Sequence, residues 1–300
     1  MKAYDSVFRP GLFAGRHVVV TGGGSGIGRC TAHELAALGA TVALVGRKPE
    51  KLVAVAGEIV EAGGKHPTTH VCDIRIEEEV QRTVAAIVAA HGRVDGLVNN
   101  AGGQFSAPLK DINQKGWETV VRTNLTGGFL VARECFRQSM EAHGGAIVNI
   151  IADMWRSMPG MGHSGAARAG MLNFTETAAL EWGYAGVWVN AVAPGVIASS
   201  GLATYPEAMR SRIAETWRQI PLKRLGTESE VSAAIVFLLS EGAAFISGSW
   251  LRVDGAHPNA RANWPMPDHS RSKPYYGFPL ESPPDFLKRA PLDGDGEDGG

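Results

Sequence analysis

The chain has 300 residues, enough for one large α/β domain or two small ones. Hydrophobic residues make up 44% and charged residues 20%, and 29 basic against 30 acidic side chains leave a formal charge of −1. These values allow a substantial core and argue against a nucleic acid or an anionic membrane as partner. The opening MKAYDSVFRPGLFAGR lacks the apolar run of a secretory signal, and the longest apolar runs, such as residues 233–239, fall far short of the roughly 18 residues of a membrane span. Cys30, Cys72 and Cys135 are scattered without CxxC spacing, so no metal site is expected and the thiols are read as reduced, in a cytoplasmic protein.

In chain order, HVVVTGGG (residues 17–24) is a β-branched run ending in glycines. A helical stretch follows with Ile27, Thr31, Leu35 and Leu38 on one face, ending at Gly39, and then a second apolar run at 41–45. Strand, glycine turn, helix and strand make a βαβ unit with a right-handed crossover. Further short apolar runs at 70–72, 96–98, 146–151, 187–193 and 250–253 alternate with helical stretches. The pattern predicts a single Rossmann-type α/β domain over residues 1–255, a doubly wound, seven-stranded parallel sheet with helices on both faces. Residues 256–300 hold eight of the sixteen prolines together with Trp264, Tyr275, Tyr276, Phe278 and Phe286. This tail is expected to pack through its aromatics, and its last eight residues, DGDGEDGG, to be disordered.

TGGGSGIG (residues 21–28) stands where a phosphate-binding turn belongs, between strand and helix, and glycines there let the backbone approach a pyrophosphate. A tight turn without ligand would explain the glycines equally if they stood alone. Later come NNAG at 99–102, Asn124 within TNLTG, and Pro194–Gly195 after a strand. With these motifs in this order, residues from about 12 to 255 resemble the short-chain dehydrogenase/reductase superfamily. The resemblance implies a nicotinamide cofactor held by Gly22, Ser25, Gly26, Ile27 and Gly28, by Asn100, Ala101 and Gly102, and by Pro194, Gly195, Ile197 and Ser199. It implies that Asp73, with Ile74, reaches the adenine, that Asn124 belongs to the active-site tetrad, and that the protein is a homotetramer.

Cofactor choice follows from charge. A carboxylate ending the second strand would accept from the ribose hydroxyl of NAD and repel a 2′-phosphate; here Arg47 and Lys48 follow Gly46. Two cations favour NADP(H) over NAD(H), unless both are merely solvated charges.

The active-site motifs depart from the superfamily pattern of N-I-x-S followed by Y-x-x-x-K. The first reads Asn149-Ile150-Ile151-Ala152, and the second places Ser164 for tyrosine and Arg168 for lysine, within HSGAARAG. Serine is too weak an acid for carbonyl–alcohol chemistry, and arginine stays protonated, so the usual proton relay is missing. Four residues apart, Ser164 and Arg168 share one helix face, where Arg168 could hold the nicotinamide ribose and Ser164 could donate to a substrate oxygen. Donors of that kind suit reduction of a conjugated C=C bond, in which an enolate oxygen must be stabilised. Asp153 and His163 are the candidate proton donors.

VNII, HSGAARAG, NNAGGQF and ALEW with VNAVAPGVI resemble peroxisomal trans-2-enoyl-CoA reductases, and serine four before the basic residue is similar to the 2,4-dienoyl-CoA reductase group. The different tyrosine of that group has no counterpart here, where Asp153-Met154-Trp155 stands. FRPGLF and the ADMW…GMGHSGAARAG segment resemble bacterial dehydrogenases of citronellol catabolism. Residues 200–224, the expected substrate lid, carry Arg210, Arg212, Arg218, Lys223 and Arg224 against Glu207 and Glu215, with Met209, Ile213 and Trp217 on one apolar face. That face would suit an acyl chain joined to CoA phosphates, and an ordinary amphipathic helix explains it as well. The expected activity is NADPH-dependent reduction of the C=C bond of a fatty enoyl-CoA, acting on a CH–CH group. Oxidation or reduction of an acyclic terpenoid alcohol or aldehyde is the alternative, and a nucleotide-binding protein without chemistry the third reading.

Overall fold

A computed structural model describes residues 4–277 and 284–287 of the chain. Among these residues β1 (His17–Thr21), β2 (Thr41–Gly46), β3 (Thr68–Val71), β4 (Gly96–Asn99), β5 (Gly145–Ile150), β6 (Val187–Pro194) and β7 (Trp250–Val253) form one sheet in the order β3-β2-β1-β4-β5-β6-β7. Every adjacent pair is parallel. The helices are α1 (Gly26–Ala37), α2 (Pro49–Glu61), α3 (Glu77–His91), α4 (Gln114–Val121), α5 (Gly127–Cys135), α6 (Glu141–His143), α7 (Gly162–Trp182), α8 (Glu207–Glu215) and α9 (Glu228–Leu239). The expected doubly wound, seven-stranded sheet is the observed one.

Alternation along each strand explains the two cores. Val18 and Val20 point to the face covered by Leu35 of α1, Leu52 and Ile59 of α2 and Ile235 of α9. Val19 points to the other face, against Val84 and Ile87 of α3 and Val131 of α5. β5 is shifted by one residue from the sequence reading, and β3 departs most from it, beginning at Thr68 rather than at residue 70. Its pairing with β2 decides this, since Ala43 sits opposite Thr68, and an edge strand of half-buried and exposed residues leaves little apolar signal to read. Cys30, Cys72 and Cys135 are buried free thiols, and burial pushes the thiols of Cys30 and Cys135 up, away from the reactive thiolate. No helix among the described residues is long and apolar enough to cross a membrane.

Strand order reverses between β1 and β4, which opens a crevice beyond their carboxyl ends. There the chain is stitched by side chains rather than by sheet hydrogen bonds. The Thr21 hydroxyl oxygen accepts from the backbone N–H groups of Asn100 and Ala101, each at 2.9 Å, and Asn100 Nδ2 donates to the Thr21 carbonyl at 3.0 Å. Deeper in the sheet, Asn99 Nδ2 donates to Asn149 Oδ1, and Asn149 Nδ2 to Thr175 Oγ1 on α7, at 3.1 and 2.9 Å. This buried chain fixes β4, β5 and α7 relative to one another.

The tail packs across the molecule. Asp268 pairs with the buried Lys223, Arg224 donates to Ser272 Oγ, the Thr227 hydroxyl donates to the Tyr275 carbonyl, and the Tyr275 hydroxyl donates to the Asp5 carbonyl. Leu287 is buried beside Ile213, Ile220 and Leu225, while Trp264 is exposed. Phe278 and the acidic-glycine octet lie outside the described residues. Removing residues 256–300 is expected to lower the melting temperature by roughly 5–10 °C, because about 2–3 kcal/mol of such contacts are lost. Thermal unfolding by circular dichroism tests this, and a truncated chain melting with the full-length one would show that the tail contacts carry no net stability.

Candidate active site

The glycine turn between β1 and α1 is built for close approach. Gly22 has φ +66°, and a Cβ on Gly28 would stand 2.4 Å from the Gly22 carbonyl oxygen and 2.5 Å from Asn100 Nδ2. Ser25, the N-cap of α1, makes no side-chain capping bond, and the first turn holds no acidic residue. The free N–H groups of this helix end therefore suit a phosphate. Arg47 and Lys48 lie exposed just beyond β2. Asp73 is held by Arg75, whose hydrogen bonds keep its carboxyl below the usual range, and Arg47 adds to the effect. Ile74 packs against Gly127, where a Cβ would meet it at 2.7 Å.

A cleft of about 1610 Å³ opens from this crevice along the carboxyl ends of β4, β5 and β6. Ile27, Asn100, Gly102, Arg168, Pro194, Gly195, Ile197 and Ser199 all line it, so the structure gathers these sequence-selected residues at one site. Gly22, Ser25, Gly26 and Gly28 form the turn beside it, with Ala101 tied to Thr21, whereas Arg47, Lys48, Asp73 and Ile74 lie outside the cleft walls.

Asn124 sits in a π-helical turn (Arg122–Thr126) between α4 and α5, an irregularity that turns a buried amide toward the site. Its Oδ1 accepts from the Gly103 N–H at 2.9 Å, and its buried Nδ2 has no partner. Arg168 Nη1 donates to the Ile150 carbonyl at 2.5 Å. The guanidinium lies so near Gly102 that a Cβ there would be 2.5 Å from Nη2 and 3.0 Å from Asn124 Oδ1. Burial lowers the Arg168 pKa to about 10, which still leaves it cationic at neutral pH. Its Nε is buried without a partner. The glycine cradle and these two unpaired donors, Arg168 Nε and Asn124 Nδ2, fit a polar, phosphate-bearing cofactor.

Ser164 differs from the sequence expectation. It is fully buried on α7 and does not line the cleft; its hydroxyl donates to Gln104 Oε1 at 2.6 Å. Gln104, exposed in the loop after β4, in turn donates from Nε2 to the Tyr205 hydroxyl at 2.8 Å. His163 is also buried, with Nδ1 2.7 Å from the Ser164 N–H and its ring edge-on to Phe105. Burial lowers its pKa, which disfavours the charged, donating form, and it does not reach the cleft. Asp153 does line the cleft, its N–H donating to the Pro194 carbonyl at 3.2 Å and its Oδ2 lying 3.5 Å from His257 Nδ1.

Gln104, Tyr205 and His257 escaped the sequence reading. Gln104 lay within the NNAGGQF string, but nothing local marks a glutamine as a site residue. His257 follows the last strand and meets Asp153 only through the fold. Among the charged side chains lining the cleft, Arg156, Arg168, Arg212 and Arg261 face the single carboxylate of Asp153. Apolar walls come from Met158, Met161, Leu202, Met209, Ile213 and Met266. Among the described residues no group of three or more His, Cys, Asp or Glu could hold a metal ion.

Residues 22–256 match the family model described as Enoyl-(Acyl carrier protein) reductase. A probable 2,4-dienoyl-CoA reductase of Bacillus subtilis is 36% identical over 79% of this chain and 94% of its own. A glucose 1-dehydrogenase of Gluconobacter oxydans is 40% identical over 81% and 92%. Among solved structures, the citronellol catabolism dehydrogenase AtuB of Pseudomonas aeruginosa PAO1 is 65% identical, with a TM-score of 0.76 over 85% of this chain and 99% of its own. The family model spans the glycine turn from Gly22 and all of the cleft lining that precedes the tail, and the chain belongs to the short-chain dehydrogenase/reductase family of NAD(P)-using oxidoreductases.

Proposed function

We propose that this oxidoreductase uses NADP(H) and reduces the conjugated C=C bond of an enoyl thioester of acyl-CoA type. The observation that carries this reading is the substituted relay: Ser164 and Arg168 stand where a phenol and an amine would be needed for alcohol–carbonyl chemistry, and Ser164 is sealed from the cleft. When bound, the cofactor supplies the hydride. The chain's own donors then act on the substrate oxygen. Ser164 holds Gln104 by its carbonyl end, which leaves the Gln104 amide at the cleft to donate to an enolate-like oxygen once Tyr205 yields it. Arg168 and Asn124, with unpaired buried N–H groups, would hold the nicotinamide ribose, and the glycine turn the pyrophosphate. Arg156, Arg212 and Arg261 give the cleft an excess of positive charge that suits the phosphates of a thioester carrier, beside methionine-rich apolar walls that suit its chain. A homotetramer accords with the exposed Leu180, Phe245, Trp250 and Leu251.

The 65% identity to a citronellol catabolism dehydrogenase favours a second reading, an acyclic terpenoid alcohol or aldehyde as substrate. Both readings share branched or linear apolar chains and differ in the bond that reacts. NADPH oxidation with crotonyl-CoA, longer 2-enoyl-CoAs, a 2,4-dienoyl-CoA and citronellal separates them. Turnover of thioesters alone is expected; turnover of citronellal alone moves the reaction to the CH–OH group.

Cofactor preference depends on Arg47 and Lys48. Each charge-assisted contact to a 2′-phosphate contributes roughly 1.5–3 kcal/mol, so replacing both by alanine is expected to weaken NADPH binding at least about tenfold and to leave NADH binding nearly unchanged. Titration calorimetry measures both, and equal wild-type affinity for the two cofactors would remove the NADP(H) assignment.

The donor arrangement makes a ranked prediction. Gln104→Leu is expected to slow turnover about 100-fold, the usual cost of an oxyanion donor, while Ser164→Ala, which only frees the glutamine, costs about tenfold. NADPH affinity should be unchanged in both. Stopped-flow hydride transfer gives the ranking, and a larger loss in Ser164→Ala than in Gln104→Leu would return the donor role to the serine itself.

A further inference from the structure

We infer that Asp153 and His257 together form the proton-exchange group of this cleft, an inference that rests on the oxidoreductase reading above but not on which bond reacts. Hydride transfer in either direction needs one proton taken up or released, and the tyrosine relay that would handle it is absent. The proton needs a cleft-lining group able to take it up and give it back near neutral pH. Arg156, Arg168, Arg212 and Arg261 do not give up protons in that range, and His163 is sealed away. His257 is the histidine among the cleft-lining residues.

Its position is built rather than incidental. Ala256 adopts a left-handed φ of 65°, unusual for a residue with a Cβ, and its N–H donates to Asp254 Oδ1 at 2.9 Å. The His257 N–H donates to the Asp254 carbonyl at 3.1 Å, opening a short 3-10 turn (His257–Asn259). Arg156 Nη1 then clamps the far side of that turn by donating to the Ala260 carbonyl at 2.6 Å. The backbone so held aims Nδ1 at Asp153 Oδ2, 3.5 Å away, an ion-pair distance. Asp153 is itself fixed at the carboxyl end of the sheet, where its N–H meets the Pro194 carbonyl. With Nδ1 nearest the carboxylate, Nε2 is the ring nitrogen left to serve substrate once the two close to hydrogen-bond distance, the division of labour that a carboxylate imposes on a general-base histidine elsewhere.

In reduction of an enoyl thioester, hydride adds to the β-carbon and the π pair moves onto the α-carbon and oxygen. The α-carbon takes the Nε2 proton of the imidazolium, which becomes neutral imidazole and is reprotonated from solvent. For a carbonyl substrate the same proton goes to the oxygen. The charged groups on the surrounding elements are Asp153 and Arg156 after β5, Arg252 and Asp254 at the end of β7, Arg212 on the lid and Arg261 in the tail.

Two readouts test this. In the protein without cofactor, an NMR titration of the His257 imidazole is expected to move to lower pH in Asp153→Asn than in wild type. With substrate, the reduction rate in wild type is expected to fall as pH rises through the imidazole titration. That limb should shift with the NMR value in Asp153→Asn, and it should disappear, with a loss of about 100-fold in turnover, in His257→Asn. His257→Gln, which keeps an amide near the Nε2 position, serves as a second variant should the first fail to fold. An imidazole titration unmoved by Asp153→Asn overturns the pairing, whatever the substrate. A His257 variant that keeps both the rate and the wild-type pH limb overturns the proton role. A wild-type enzyme inactive on every thioester and aldehyde while the NMR coupling persists instead counts against the proposed substrates.

Discussion

The contact between Gly28 and Gly22 is the constraint on which the site depends. A turn that brings the first residues of α1 within van der Waals contact of the end of β1 leaves no room for a Cβ, and Asn100 closes the remaining space from β4. Because Asn100 and Ala101 also give their backbone N–H groups to Thr21, the glycine turn and the loop after β4 are tied together. Gly102, Gly103 and Gln104 continue from that junction, so the wall of the substrate cleft is positioned by the same contacts that shape the phosphate cradle. The buried Asn99–Asn149–Thr175 chain then ties in α7, which carries Ser164 and Arg168.

On this frame a changed set of side chains keeps some roles and abandons others. Arg168 is held between the Ile150 carbonyl and Gly102, a place for a permanent cation with several donors, and burial does not bring it near neutrality. It can bind and orient but cannot relay a proton. Ser164 is spent on Gln104, which converts a position that normally faces substrate into a support for a neighbouring amide. The ionisable pair left in the cleft, Asp153 and His257, lies where the loop after β5 and the start of the tail meet. The tail is thus part of the cleft: His257, Arg261 and Met266 line it, and Lys223 and Arg224 at the end of the lid are held by residues further along.

Much of this was written in the sequence. Alternating apolar runs separated by helical stretches determined the doubly wound sheet, because burial on both faces demands that pattern whatever the details of packing. The glycines of 21–28 and the NNAG string marked segments that the fold brings together at one crevice, since each motif acts through residues adjacent in the chain. The departures at Ala152, Ser164 and Arg168 were equally legible, being single letters at marked positions. Tertiary structure alone decided which way those letters point. Ser164 is turned inward, and Gln104, sixty residues earlier, supplies the acceptor for its hydroxyl. His257 met Asp153 because β7 lies beside β6 and β6 beside β5, so that two carboxyl ends far apart in sequence open onto one cleft. Local spacing sets periodicity and turns, which is why the elements could be read; partnership between distant side chains is set by strand order and register, and these exist only once the chain has folded.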